Sequence, residues 1–225
     1  VTWCVGHLVT MSYPEVYDPK YKRWSFQTLP FLPKEFKYEI IGAVAKQFNI
    51  VKGLLNRKDV DTIYVCTDSG REGEYIYRLV AQMAGVKDKK QKRVWIDSQT
   101  EEEILRGIRE AKDESEYDNL SASAYLRAKE DYLMGINFSR ALTLKYGPPM
   151  SSYLGTKYTV LSVGRVMTCV LGMVVRRERE IRGFVKTPFY RVVGTFEGRG
   201  KEGEPVPFEA EWKAVEGSRY FGTPY

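Results

Sequence analysis

The chain has 225 residues, 43% of them apolar and 28% charged, enough to bury the core of one large domain or of two modest ones. Its formal charge of +6 is a mild surplus, compatible with a nucleic-acid partner without specifying one. No apolar run approaches the length of a membrane span and no signal peptide is visible, and the three cysteines, Cys4, Cys66 and Cys169, lie in apolar surroundings without metal-ligand spacing. They are expected to be buried thiols of a reducing, cytoplasmic compartment.

Residues 1–115 alternate helical and strand patterns. Residues 13–33, rich in Pro, Tyr and Lys, read as a long surface connection, either a functional loop or a packing arm. A helix is predicted over 43–56, a strand over 61–67, a helix over 75–84 and a strand over 93–96. A further helix runs over 100–112, with Thr100 as N-cap and Glu103 in the capping-box position. Such a pattern belongs to an α/β sandwich with a parallel component. Residues 116–185 read instead as helices divided by loops. A helix over 120–145 carries Arg127, Lys129, Arg140 and Lys145 away from its apolar side, and Gly147-Pro148-Pro149 is expected to stop it. A loop over 150–161 leads to a helix over 166–182 whose charges gather at its end, where they attract phosphate or simply complement the helix dipole. From 187 onward strand alternation takes over, at 190–196 and 207–213, with a glycine-rich hairpin turn between. A hairpin alone does not make a domain, so the sequence is expected to stop inside one.

The densest chemistry lies in Tyr64-Val65-Cys66-Thr67-Asp68-Ser69-Gly70-Arg71-Glu72-Gly73-Glu74, where a short buried strand turns into a helix. Ligands of α/β sheets collect outside the carboxyl ends of the strands, and there Asp68, Glu72 and Glu74 are expected to converge. Hard carboxylate oxygens hold Mg²⁺, which keeps several waters and links protein to phosphate oxygens, and Arg71 adds a phosphate-facing cation. Acidic residues also favour a helix N-terminus for its dipole alone, so composition leaves both readings open.

Asp68-Ser69-Gly70-Arg71-Glu72-Gly73-Glu74 resembles the Asp-x-Asp-Arg-Glu-Gly-Glu motif of the Toprim domain of type IA DNA topoisomerases. Three further stretches resemble the topoisomerase III branch, in the same order. Trp3-Cys4-Val5-Gly6-His7-Leu8 with Pro14-Glu15-Val16-Tyr17-Asp18 is similar to its Gly-His-Leu element, and Arg127-Ala128-Lys129-Glu130-Asp131-Tyr132-Leu133-Met134-Gly135-Ile136-Asn137 to its Arg-Ala-x-x-Asp-Trp-Leu-x-Gly-Ile-Asn helix. Leu161-Ser162-Val163-Gly164-Arg165-Val166-Met167-Thr168 resembles its Ser-x-Gly-Arg-Val-Gln-Thr-Pro signature. Each stretch is weak alone; four in order are specific.

The resemblance implies a Toprim, Rossmann-like α/β domain over 1–115, lacking its N-terminal strand. A mainly helical single-strand DNA-binding domain over 116–185 follows, then the first antiparallel strands of a β arch domain over 186–225. It implies an isomerase that cleaves and reseals one DNA strand through a 5′-phosphotyrosyl intermediate, with Mg²⁺ and without ATP. Single-stranded or underwound DNA is the implied partner, and a helicase is one that the family admits for the parent enzyme. Asp68, Glu72 and Arg71 take the catalytic positions, Asp68 and Glu72 with Glu74 the metal positions, Glu74 either as a ligand or as an acid behind one. His7, Arg127, Asp131, Ser162, Gly164 and Arg165 take the DNA-contacting positions, with Tyr132 or Tyr158 as a surface for base stacking. For His7, a structural role competes evenly.

Three departures stand out: Gly70 where the family has its second Asp, Met167 for Gln, and Cys169 for Pro. The acidic Glu-Lys-Pro-Ser-like strand and the Tyr-Pro-Arg-Thr-like nucleophile motif find no match, so the chain is expected to be an internal piece, inactive alone. Two other readings remain. A different Toprim phosphotransferase would not carry the helical and Ser-Val-Gly-Arg-Val motifs. A non-catalytic single-strand DNA-binding module would treat Gly70 as the mark of a decayed site.

Overall fold

The computed structural model describes residues 1–217. Strand β1, Val9–Met11, pairs antiparallel with β2, Tyr38–Ile40, and closes the two ends of the Pro/Tyr-rich segment on each other. Three-residue strands carry too little periodicity to be read from sequence, and neither is predicted. Helix α1, Ala45–Leu55, follows a 3-10 turn and leads to β3, Thr62–Val65. Helix α2, Arg71–Ala84, ends at Gly85, whose φ of 70° is the left-handed conformation that glycine adopts at helix ends. Strand β4, Lys90–Arg93, lies parallel to β3, and after α3, Glu101–Arg109, the two-residue β5, Lys112–Asp113, adds to β4 antiparallel.

Apolar side chains from every layer meet in one core: Leu8 and Val9, Phe48 and Val51 of α1, Ile63 and Val65 of β3, and Leu79 and Val80 of α2. Each such side chain taken fully out of water stabilises the fold by roughly 1.5–3 kcal/mol. Two sequence boundaries move. The strand predicted over 93–96 ends at Arg93, because the ladder with β3 runs only from Thr62↔Lys90 to Val65↔Arg93. The helix predicted from 75 starts at Arg71, so Glu72 and Glu74 lie in its first turn rather than before it.

Helix α4, Asp118–Leu154, runs straight through Gly147-Pro148-Pro149, against the expected stop. Two N–H donors are missing there, but the following loop binds this stretch of helix from the side. Leu161 N donates to Thr143 Oγ1 at 2.9 Å, Val163 N to Ser139 Oγ at 2.8 Å, and Ser151 Oγ to Thr159 Oγ1 at 3.0 Å. A Cβ on Gly147 would come within 3.0 Å of the Thr159 carbonyl, so the loop packs close to the backbone.

The helical segment predicted to begin at 116 packs into the same unit as the α/β part. Ala124 belongs to the core, and Tyr125 meets Tyr75 edge-on at 5.0 Å. Compactness divides the chain into Val1–Leu171 and Gly172–Tyr225, inside α5, Arg165–Arg182. The 13–33 segment is a packing arm. Buried Phe31 is edged by Tyr17 and Tyr21, and its backbone N–H and carbonyl bond the Asn137 side chain of α4 at 2.6 and 2.9 Å. Arg140, which the helical pattern sets away from the apolar side, is nevertheless buried, donates to the Tyr21 carbonyl at 3.0 Å and lies over Trp24.

The second unit carries the rest of α5 and an antiparallel hairpin of β6, Val193–Arg199, and β7, Pro205–Glu211, with Phe196 stacked on Phe208. Residues 218–225, the end of the segment predicted as an arch, lie outside the described residues. Among the described residues no helix is long and apolar enough to cross a membrane. The thiols correct the sequence reading: Cys66, past the end of β3, and Cys169, on α5, are exposed and Cys4 is half-buried.

Candidate functional site

The loop that carries Asp68 is held from below by Arg93, which stands opposite Val65 at the ends of the parallel strands. Arg93 is fully buried. Its Nη1 donates to the carbonyls of Val65, Thr67 and Val94 at 3.1, 2.6 and 3.1 Å, and its Nη2 to the Asp68 carbonyl at 2.5 Å. Nε donates to Glu74 at 3.0 Å. One guanidinium thus gathers the carbonyls around the ends of the two strands, and its charge is balanced by Glu74 of the helix that follows. Thr67 Oγ1 donates to the Gly73 carbonyl at 2.8 Å, tying loop to helix. Gly73 is obligatory: a Cβ there would sit 2.1 Å from the Asp68 carbonyl oxygen.

This geometry separates the three acids of the motif. Glu74 is wholly buried, and its two oxygens take Arg78 Nε at 2.8 Å and Arg93 Nε at 3.0 Å. Both of its oxygens are engaged inside the fold, while Asp68 and Glu72 are exposed, so Glu74 anchors the loop from behind. Arg78 extends the network to the Glu114 carbonyl at 2.6 Å and to Asp118 at 2.9 Å. Both carboxylate oxygens of Glu114 are buried without a hydrogen bond, although one lies 3.1 Å from Arg78 Nε. Burial first, and then the negative charge of Glu74, push the Glu114 pKa up to about 7.

Glu72 projects outward and pairs with His7 Nε2, whose ring meets Tyr75 edge-on at 5.9 Å. Arg71 is exposed at the first position of α2. The exposed Asp68 lines a shallow cleft with Thr67, Ser69, Asp97 and Ser98. No group of three or more His, Cys, Asp or Glu placed to hold a metal occurs among the described residues. The cleft's donor set nevertheless suits Mg²⁺, which takes hard oxygens, needs only one or two carboxylates and retains waters.

The predicted DNA-contacting residues of the α4 region gather around one exposed ion pair. Arg165 Nε and Nη2 donate to the two Asp131 oxygens at 2.8 and 3.2 Å, and this holds the Asp131 carboxyl below its usual range. Arg127 is exposed four residues earlier on α4, and Ser162 is exposed on the loop before α5. Gly164 N donates to Thr168 Oγ1 at 3.0 Å, capping the start of that helix. His7 lies instead against the α2 start. Tyr132 is committed to the fold, donating to the Ser12 carbonyl at 2.6 Å beside Phe31 and Phe36, whereas Tyr158 is exposed. Sequence reasoning missed Arg93. The available signal was weak, since Arg93 is the last cation of the basic run Lys89-Lys90-Gln91-Lys92-Arg93 and differs from the others only in directly preceding the apolar stretch Val94-Trp95-Ile96.

Residues 1–98 match the Toprim domain family, and residues 115–221 match a DNA topoisomerase family. The chain is 40% identical over 198 residues to DNA topoisomerase 3 of Bacillus subtilis (strain 168), covering 88% of this chain and 26% of that protein. It is 42% identical over 192 residues to the proteins of the same name from Shouchella clausii (strain KSM-K16) and Bacillus anthracis, covering 85% of this chain and 25% of each relative. It thus spans about a quarter of the length of the curated relatives it matches. A Toprim domain followed by a topoisomerase body defines the class, that of the DNA topoisomerases. Within it, the chain belongs to the type IA enzymes, on the topoisomerase III-like branch.

Proposed function

We propose that these residues form the metal-and-phosphate end and part of the single-strand groove of an enzyme that cleaves and reseals one DNA strand. The observation that carries this reading is Asp68. Its carboxylate is exposed on a loop clamped through the carbonyls of Val65, Thr67 and Asp68 by buried Arg93, at the mouth of two parallel strands and one turn from Arg71 and Glu72. A fixed, solvated carboxylate beside an exposed arginine is suited to positioning phosphate, and positioning with charge stabilisation is the main catalytic content of phosphoryl transfer.

In the reaction implied by the family, a tyrosine hydroxyl attacks a DNA phosphodiester, giving a 5′-phosphotyrosyl link and a free 3′-OH. Attack by that hydroxyl reverses the step, so the phosphoester bond is conserved and no ATP is needed. No tyrosine here stands in a Tyr-Pro-Arg-Thr-like context, so the nucleophile is assigned to a part of the enzyme beyond these residues. Asp68 would hold Mg²⁺, with Glu72 as the second acid of the motif. An ion held there would supply positive charge for the scissile phosphate and the 3′-OH. Arg71 contacts a phosphate oxygen, and His7 keeps Glu72 oriented at the helix start. Arg127 and Arg165 neutralise successive backbone phosphates of single-stranded or underwound DNA, with Ser162 and Gly164 allowing close approach and Tyr158 offering a stacking face. Arg165 then leaves Asp131 for phosphate, an exchange that costs little because both side chains are solvated. A cytoplasmic location belongs to the same reading, as does a helicase partner for the whole enzyme.

Fluorescence anisotropy of the chain with a labelled single-stranded oligonucleotide and with its duplex, across a salt titration with and without Mg²⁺, tests the reading. Preference for the single strand that weakens with salt is expected. Equal binding to both, or none, would overturn the groove assignment.

A further inference from the structure

We propose that Asp97 is a further carboxylate of the divalent-cation site at Asp68, supplying from the loop after the neighbouring strand the acid that Gly70 does not provide. The inference rests on the reading of Asp68 as a metal ligand. It starts from the sheet. Strands β3 and β4 are parallel neighbours with Val65 opposite Arg93, and the ladder continues one step further through Val94 N to the Val65 carbonyl at 3.0 Å. Asp68 follows Val65 by three residues and Asp97 follows Arg93 by four, so both emerge just past the carboxyl ends of adjacent strands. The two loops are fastened together beside them, because Ile96 N donates to Ser69 Oγ at 2.9 Å. The two carboxylates line one cleft.

Both carriers are held rigidly. The Asp68 backbone is clamped by Arg93, and Asp97 N donates to Glu103 Oε1 at 3.2 Å, Glu103 being itself drawn in by Arg106. The Asp68 and Asp97 carboxylates, in contrast, have no hydrogen-bond or ion-pair partner among the described residues. The other acids of the motif are engaged, Glu72 by His7 and Glu74 by Arg78 and Arg93. Position 70 itself opens to solvent, with nothing within 4 Å of where a Cβ would stand. Two unpaired carboxylates on immobilised loops, flanked by the hydroxyls of Ser69 and Ser98, match the needs of a small hard cation that keeps part of its water shell. The same-sign charges also disfavour one another until a cation lies between them.

The test uses Mn²⁺ as the probe, titrated into the 225-residue chain and read as loss of the free-ion electron paramagnetic resonance signal. Wild type should bind one ion, Asp97→Asn should weaken it by about tenfold or more, and Asp68→Asn should abolish it. Circular dichroism should be unchanged in both variants, since both side chains are exposed. Wild-type affinity in Asp97→Asn, with loss in Asp68→Asn, would overturn the role of Asp97 and leave the Asp68 site standing. Wild-type affinity in both variants, or no ion bound by wild type, would overturn the metal reading at Asp68 and this inference with it.

Discussion

Two arginine–carboxylate pairs occupy the functional stretches of this chain, and they are built for opposite purposes. Arg93 and Glu74 are each 0% exposed, and every polar atom that they bring inside meets a partner, counting Arg78 on Glu74. Arg165 and Asp131 are 44% and 42% exposed and hold only each other. A buried pair cannot release a partner without leaving a bare charge in a poor solvent, so it fixes geometry. An exposed pair loses little when one side changes partner, so it is free to exchange one anion for another. The first pair keeps the Asp68 loop in place; the second is suited to meeting a nucleic-acid phosphate.

The contrast breaks if the first pair proves dispensable. Glu74→Ala leaves Arg93 buried and unpaired and should lower unfolding free energy by roughly 3–5 kcal/mol in urea denaturation. A change near zero would mean that Arg93 finds another counter-charge. Next in size is a pH effect at the edge of the same network. The folded-state pKa of Glu114 is raised to about 7, above its ordinary value, so the folded chain holds a proton that the unfolded chain releases. The stability contributed by that proton is full below about pH 4.5 and is lost as pH rises towards 7. Glu114→Gln should therefore stabilise the protein at pH 8 more than at pH 5, by melting temperature at each pH. An equal shift at both would show that Glu114 is ionised in the fold.

The smallest effects on stability belong to the exposed pair. Arg165→Ala should leave the melting temperature unchanged while reducing the salt dependence of single-strand binding by about one unit of log–log slope. Asp131→Asn should act in the opposite sense, strengthening binding at low salt by freeing Arg165 for phosphate. Weaker binding in Asp131→Asn would show that the pair positions Arg165 rather than competing for it.

Much of the site was legible in the order of residues. A β-branched run into Thr67, a helix pattern after Gly73 and acids between them locate a strand-to-helix turn, and four ordered motifs point to the type IA topoisomerases without any coordinates. Local rules also place the Thr100 cap, whose hydroxyl accepts from Glu103 N at 3.4 Å, and the closing hairpin within a few residues. These features are local because each depends on neighbours a few positions away.

What the sequence could not order by itself was the choice among equivalent side chains. Asp68, Glu72 and Glu74 are three carboxylates within seven residues, and nothing in their spacing says that Glu74 turns inward. Arg93, nineteen positions away, decides that by standing opposite Val65 in the parallel ladder. The persistence of α4 through two prolines has the same origin, since the side bonds from Thr159, Leu161 and Val163 come from a loop that must fold back to make them. Sequence alone determined where the longer elements lie and which family they serve, because propensity and motif act over short range. Tertiary structure alone decided which charges are buried, which remain exposed and which acid shares the Asp68 cleft, because those outcomes follow from strand register and packing between residues far apart in the chain.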